Sequence, residues 1–331
     1  MAATGEPAGL REAFPLEAFR RADYNIGVIA VKVGDIPKRK RNPSIILSEA
    51  MNLPGLPVTF RRPRLALAFS AARLLAVRAG DASRVAGRDL PKGLLSPSAV
   101  NPNIQSVRDL AQLASDVVDE LSGRGGTASM ILPDLAVVSA VLKPGERSKE
   151  RDLEAELARR LAFPAVEARC DFWRGRHGEA LGAAIREVVV RQYEQVVEAA
   201  ECRLSWIDAA GLVRIPVWAE TTAADPGTTL LRAQLYSSYY VLVLFRGGEL
   251  VDVRTRLRAP GDSDAVAEEV QRLPAMYGVP RLDAITLSGE GASDCARVLS
   301  AAGLETRLSW EDEGEERQLE AALSTLLSRS S

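Results

Sequence analysis

The segment Leu65 to Arg78, LALAFSAARLLAVR, is an apolar run, a short turn of small residues and a second apolar run. Leu65, Leu67 and Phe69 alternate and Leu74 to Val77 are continuous, as in strands of a sheet covered on both faces. A related hairpin returns at Arg232 to Arg256, RAQLYSSYYVLVLFRGGELVDVRTR. Its turn, Arg246-Gly247-Gly248, suits a tight connection that needs positive φ. Two such hairpins, each followed by mixed helices and strands, point to an α/β chain holding two domains or one large bilobed one. At 331 residues it can bury a sizeable core in each half.

Between the hairpins, Ile104, Val107, Ala111, Ala114, Val118 and Leu121 form one stripe of a helix stopped by Ser122 and Gly123. Ser129 to Leu132 and Leu135 to Leu142 read as strands about a Pro133-Asp134 turn. A helix carrying Leu153, Leu157 and Leu161 ends before Pro164. A longer helix is expected over Leu181 to Ala200, and Leu204 to Ile207 and Leu212 to Val217 read as strands. Thr221 to Thr229, TTAADPGTT, is the most linker-like stretch of the body. Beyond it come a helix with Val266, Val270, Leu273 and Tyr277, a strand at Ala284 to Leu287, and a helix from Ser293 to Ala302. A strand at Leu304 to Leu308 and a last helix bearing Leu319, Ala322, Leu323 and Leu326 complete the chain. The division expected is an extension over 1–60, a first lobe with an inserted subdomain over 61–225, and a second lobe over 226–331.

The extension differs from the body. Pro, Gly, Asn and Arg interrupt its apolar groups, and the basic run Lys38 to Arg41 reads as solvated chain. A net charge of -2 argues against a dedicated nucleic-acid binder. No apolar run approaches the roughly 20 residues of a spanning helix, and the first residues have no signal-peptide core. Cys170, Cys202 and Cys295 are scattered and far from the lone His177, the pattern of reduced thiols without a metal site. There is no GxxxxGK[ST] loop, no GxSxG elbow and no cysteine pair spaced for zinc.

In the order of these pieces the chain resembles the actin-like type IV pilus assembly proteins of the PilM kind, relatives in fold of the division protein FtsA. The likeness runs from about Arg62 to Leu327. It rests on the first hairpin, MILPDLAVVSAVL, a leucine-striped helix ending in AFP, IREVVVRQYEQVVEAAECRLSWID, the second hairpin and ITLSGEGA. It implies a bilobed actin-like fold, ribonuclease H-like and duplicated, with a non-globular N-terminal extension.

The resemblance also implies where a nucleotide would sit. The family's first loop reads Asp-x-Gly with a lysine five residues after the glycine. Those positions fall on Ala68, Ser70 and Leu75. In the second loop the aspartate, glycine and threonine fall on Gln234, Tyr236 and Tyr240. A phosphate loop needs glycine so that N–H groups approach the oxygens, and an acid to order magnesium or the attacking water. Alanine, glutamine and tyrosine supply neither. What is left for a degenerate site is Ser70 at the first loop, Ser237 or Ser238 as a phosphate contact, and Gly289 and Gly291 of Ser288-Gly289-Glu290-Gly291 as an adenosine wall. No cofactor is expected and ATP hydrolysis is not expected, while binding of ATP with magnesium without hydrolysis is less strictly excluded.

By resemblance, the chain is expected to be a non-catalytic scaffold at the cytoplasmic face of an inner membrane. Its partner would be the cytoplasmic tail of a membrane-anchored PilN-like protein carrying an Asn-Leu-Leu-Pro-like peptide, with pilus motor ATPases or platform proteins as further partners. Such docking needs a groove and no catalysis. Met51-Asn52-Leu53-Pro54 faintly resembles that peptide. The alternative, an active phosphotransferase or ATPase of the same superfold, calls for an acid at one of the two loops.

Overall fold

The computed structural model describes residues 31–32, 63–143, 149–222, 227–279, 281–303 and 306–329. The rest of the expected extension, including Lys38 to Arg41 and Met51 to Pro54, lies outside the described residues, as do 223–226 of the linker and 304–305 of the expected late strand.

Chain order runs β1 (Val31–Lys32), β2 (Leu65–Phe69), β3 (Arg73–Arg78), β4 (Asp81–Asp89), α1 (Val107–Glu120), β5 (Thr127–Leu132) and β6 (Val138–Leu142). Then come α2 (Glu150–Ala158), β7 (Ala168–Arg174), β8 (Ala180–Arg186), α3 (Glu187–Ala199), β9 (Arg203–Ala209) and α4 (Ile215–Thr222). The second half holds β10 (Thr229–Leu235), β11 (Tyr239–Arg246), β12 (Glu249–Leu257), α5 (Ser263–Met276), β13 (Ala284–Gly289), α6 (Ala292–Ala301), β14 (Arg307–Glu311) and α7 (Glu315–Arg329).

Two sheets share one topology. The first is ordered β4-β3-β2-β5-β9 with β1 on the β9 edge, and the second β12-β11-β10-β13-β14. In each, the first three strands are antiparallel neighbours and the fourth and fifth run parallel to the first. The duplication expected from the two hairpins is therefore complete at the level of strand order. Of the expected extension, Val31 and Lys32 join the first sheet, antiparallel to Ile207 and Trp206.

Both hairpins are buried because both faces of each sheet are covered. All five β2 residues are buried, and the Phe69 ring meets Tyr193 of α3 edge-on at 5.4 Å. With the period of two along a strand, Ala66 and Ala68 lie on the opposite face, where α7 packs against β2, β3 and β5. Leu319, Ala322, Leu323 and Leu326 bury the apolar stripe of α7 in that core. The helix ending the second half thus covers a sheet of the first. Reciprocally, α4, which ends the first half, packs on β11 of the second sheet. On the other face of the second sheet, α5 and α6 enclose a separate core around Leu242, Leu244, Val270 and Leu299.

Three expectations are corrected. Leu181 to Arg186 belongs to β8, the middle strand of a small antiparallel sheet ordered β6-β8-β7, and the helix begins only at Glu187. The run ALGAAIR carries alanine and leucine, which favour helix, but it is enclosed by two strands and by α2, so packing overrides propensity. Leu212 to Val217 is not a strand. A turn leads into α4 at Ile215, with Pro216 in the first helical turn, where a missing N–H costs nothing. Asp134–Ala136 is a single 3-10 turn, and the following strand starts at Val138. The small sheet leans on the second half: Glu179 accepts the Leu250 N–H at 3.2 Å, and Lys143 lies 3.5 Å from Glu249.

Candidate functional site

The two strand-opening turns face the junction between the halves. They have one backbone geometry. The Ser70 N–H donates to Arg73 O at 2.8 Å, and the Tyr236 N–H donates to Tyr239 O at 2.9 Å. Ser70 and Tyr236 are thus equivalent, as are Ala68 and Gln234, each two residues earlier.

In the first turn the Ser70 hydroxyl accepts the N–H groups of Arg73 at 2.9 Å and Ala72 at 3.3 Å. The main-chain donors a phosphate would need are already held by an oxygen of the chain. Beside them stand two acids from the start of α7. Glu316 pairs with Arg73 at 3.0 Å, and burial raises the Glu315 carboxyl, offset by a hydrogen bond with Ser70. Ala68 and Leu75 face each other as a buried strand pair.

In the second turn Tyr236 is buried and stacked on Tyr239, with ring centroids 4.4 Å apart and planes 13° apart. The Tyr239 hydroxyl donates to Asp134 Oδ2 at 3.1 Å, which ties the second half to the first. Asp134 also accepts the Gly211 N–H, at 2.9 Å and 3.0 Å from its two oxygens. Burial pushes its carboxyl up to about 7, against the hydrogen bonds from Gly211 and Tyr239 that lower it. Burial likewise raises both tyrosine hydroxyls well above their ordinary value, with the Asp134 charge adding to it. Gln234 is buried, and with its amide nitrogen donating to Gly211 O at 3.3 Å its oxygen accepts Arg214 Nη1 at 2.9 Å. Tyr240 points to the opposite face, among the residues of the α5–α6 core.

The glycine pair sits beside this turn. Gly289 has φ +111°, and a Cβ there would collide with the Leu235 carbonyl and with Gln318 of α7. Gly291 caps α6 in the left-handed region, φ 75°. Arg258 fastens the pair to the turn: Nε donates to Tyr236 O and Nη2 to Glu290 O, both at 2.7 Å. The Ser238 carbonyl accepts the Arg258 N–H at 2.9 Å. Ser237 and Ser238 are half-buried in the turn. The structure therefore brings Ser237, Ser238, Gly289 and Gly291 to one corner, with Ser70 on the other half.

These residues do not fit a magnesium-bound triphosphate. The first turn's donors are satisfied by Ser70, the second turn is occupied by a buried aromatic pair, and Ala68 and Gln234 carry no charge. Asp134, Tyr239 and Arg258 were not singled out from sequence. The available signal was weak: an acid directly after an apolar strand, and an arginine ending an alternating one. Among the described residues no group of three or more His, Cys, Asp or Glu is placed to hold a metal. No described helix is long and apolar enough to cross a membrane. His177 is exposed and all three cysteines are free thiols.

Solved structures share this architecture. A chain of the "PilM-PilN type IV pilus biogenesis complex" superimposes with a TM-score of 0.65 at 19% identity, covering 82% of this chain and 99% of that one. The fold is actin-like. A Bacteroides thetaiotaomicron protein with an actin-like ATPase fold and unknown function superimposes with a TM-score of 0.53 at 10% identity, covering 81% and 96%. No protein-family model matches the chain, and no curated protein matches it in sequence.

Proposed function

We propose that this chain is a non-catalytic scaffold of a type IV pilus or related secretion machine, held at the cytoplasmic face of the inner membrane by binding the cytoplasmic tail of a membrane-anchored, PilN-like protein. The observation that carries the reading is the Tyr236–Tyr239 stack hydrogen-bonded to Asp134. It fills the corner that an actin-like ATPase leaves for phosphates and bolts the halves together. Catalysis by such an enzyme needs flexible, glycine-lined turns and an acid for the metal, and a bolted cleft suits a body that serves as a surface.

Support for the partner comes from the PilM–PilN complex, whose PilM-type fold this chain shares over most of its length. The lobes divide within the Thr221 to Thr229 stretch, and motor ATPases or platform proteins are the further partners that such a position in the machine calls for.

Titration of the full chain with a fluorescent ATP analogue in magnesium, alongside a synthetic Asn-Leu-Leu-Pro tail peptide, tests the reading. The peptide is expected to bind saturably and the nucleotide not at all. Turnover of ATP by the wild-type chain would reject the scaffold reading. Absence of peptide binding would reject the partner.

A further inference from the structure

On the second sheet, β10 turns its odd residues, Leu231, Ala233 and Leu235, into the α5–α6 core. Its even residues therefore face α4, and two of them are polar: Arg232 and Gln234. Pairing extends this polar face across the sheet, with Arg232 beside Thr286 and Thr286 beside Ser309 in one row, and Gln234 beside Ser288 in the next. α4 has eight residues and contacts β11, so the β13–β14 side of this face opens into a pocket of about 280 Å³. Trp218 forms its floor and Trp310, 54% exposed, its lip.

Two guanidinium groups enter this pocket. Arg214 and Arg232 pack on the same Trp218 ring, 5.1 Å and 5.3 Å from its centroid. Neither lies within ion-pair distance of a carboxylate among the described residues, and Arg232 Nε is buried without a hydrogen-bond partner. Burial, with the neighbouring Arg214 charge, lowers the Arg232 guanidinium from its ordinary value. Arg214 is half-buried and already gives Nη1 to the Gln234 oxygen, so the unanswered donor is the buried Arg232 Nε, and a desolvated guanidinium beside a like charge is costly unless an anion joins them. The pocket also holds the Thr286 hydroxyl, which accepts from Ser309 at 3.2 Å and keeps its own proton to donate, and the Ser288 hydroxyl.

We propose that this pocket binds a small phosphate-type oxyanion, clasped between Arg214 and Arg232 with Thr286 and Ser288 as further donors. Two guanidinium forks present more N–H groups than the two oxygens of one carboxylate can accept, and the tetrahedral oxygens of phosphate match them. The site lies on the strand faces: none of Ser70, Ser237, Ser238, Gly289 or Gly291 lines it, and of the degenerate loop positions only Gln234 does, beside Ser288. Glu311 and Glu313 stand at its edge and oppose the bound charge. The proposal is independent of the scaffold reading, because it needs neither nucleotide nor partner.

Sodium phosphate titrated into the full chain at constant ionic strength in chloride buffer, read by calorimetry and by melting temperature, tests it. Saturable binding at one site is expected, weakened at least about tenfold in R232Q and in R214Q and tightened in E313Q. In chloride alone R232Q should melt above the wild type, since the unpaired buried donor is gone, and phosphate should reverse that order. R297Q, at an exposed arginine of α6, should bind as the wild type does. Should R232Q fail to fold, R214Q and E313Q carry the same test. Absence of saturable heat, unchanged affinity in R214Q or R232Q, or equal binding of acetate would overturn the assignment.

Discussion

The first turns of the two sheets have one backbone and opposite fillings. Each is a three-residue connection closed by the same N–H to carbonyl bond, at Ser70 in one sheet and at Tyr236 in the other. In the first, a hydroxyl folds back onto the turn's own donors, a local and modest substitution. In the second, a buried ring stacks on its neighbour, and that neighbour reaches across to Asp134. The hairpin topology depends on strand pairing and on covered faces, so it tolerates both fillings. What the fillings decide is whether the space between the halves is open to a ligand or part of the core.

The largest effect separating the two turns should come from the aromatic pair. Tyr236→Ala or Tyr239→Ala removes a fully buried ring, and each should cost about 3–5 kcal/mol in denaturant melts. Y239A additionally frees the buried Asp134 carboxylate of a donor. If either variant melts within about 1 kcal/mol of the wild type, the stack does not hold the halves together.

Next is Asp134. Its folded-state value of about 7 lies above the ordinary carboxylate value of 3.8, so the folded chain binds the extra proton between them. Stability from this group is therefore highest at low pH and falls as pH rises toward 7. Asp134→Asn keeps an acceptor for the Gly211 N–H and removes the titration. Relative to the wild type, it should gain about 2–3 kcal/mol between pH 5 and pH 8. A constant difference across that range would show that Asp134 is ionised throughout.

The smaller filling should give the smaller response. Ser70→Ala leaves the Ala72 and Arg73 N–H groups without their acceptor and should cost about 0.5–1.5 kcal/mol. Ser70→Gly restores the residue type a phosphate loop needs, yet ATP-analogue titration should still show no binding, because Glu315 and the second-turn rings remain. Acquisition of nucleotide binding by S70G alone would place the whole block in the first turn.

How much of this was legible in the residues follows from what each element depends on. The hairpins could be read because Leu65, Leu67 and Phe69 alternate and Leu74 to Val77 run unbroken, signals that survive whatever fills the turns. The equivalence of Ser70 with Tyr236 was legible only through the family resemblance, whose two loop glycines fall on those residues. Of the small sheet only β6 was legible, within the expected Leu135 to Leu142 strand. β7 has no strict alternation, its residues being mostly half-buried, and β8 is rich in alanine and leucine, so the surroundings alone make it a strand. Asp134 looked like an ordinary turn acid after Pro133, since nothing local announces that Gly211 and Tyr239, far along the chain, converge on it. Arg214 and Arg232 are equally silent, one in a short apolar run with the pattern of a strand and the other opening an apolar hairpin.

The smallest effect compares equivalent helix ends. α1 and α5 both follow the third strand of their sheet, and each begins on a side-chain cap, Ser106 accepting from the Asp109 N–H and Asp262 from the Ala265 N–H. Both end in the same pair of reversed bonds. In α1 these run from Ser122 N–H to Asp119 O at 2.9 Å and from Gly123 N–H to Val118 O at 2.8 Å. In α5 they run from Gly278 N–H to Ala275 O at 3.2 Å and from Val279 N–H to Pro274 O at 3.0 Å. The left-handed residue is glycine in α5, φ 63°, but serine in α1, φ 53°. A side chain in that region is strained where glycine is not. Ser122→Gly should therefore stabilise the chain by about 0.5–1 kcal/mol, and Gly278→Ser should destabilise it by a similar amount. Chemical denaturation of the pair reads both, and equal signs would mean that the two helix ends are not equivalent.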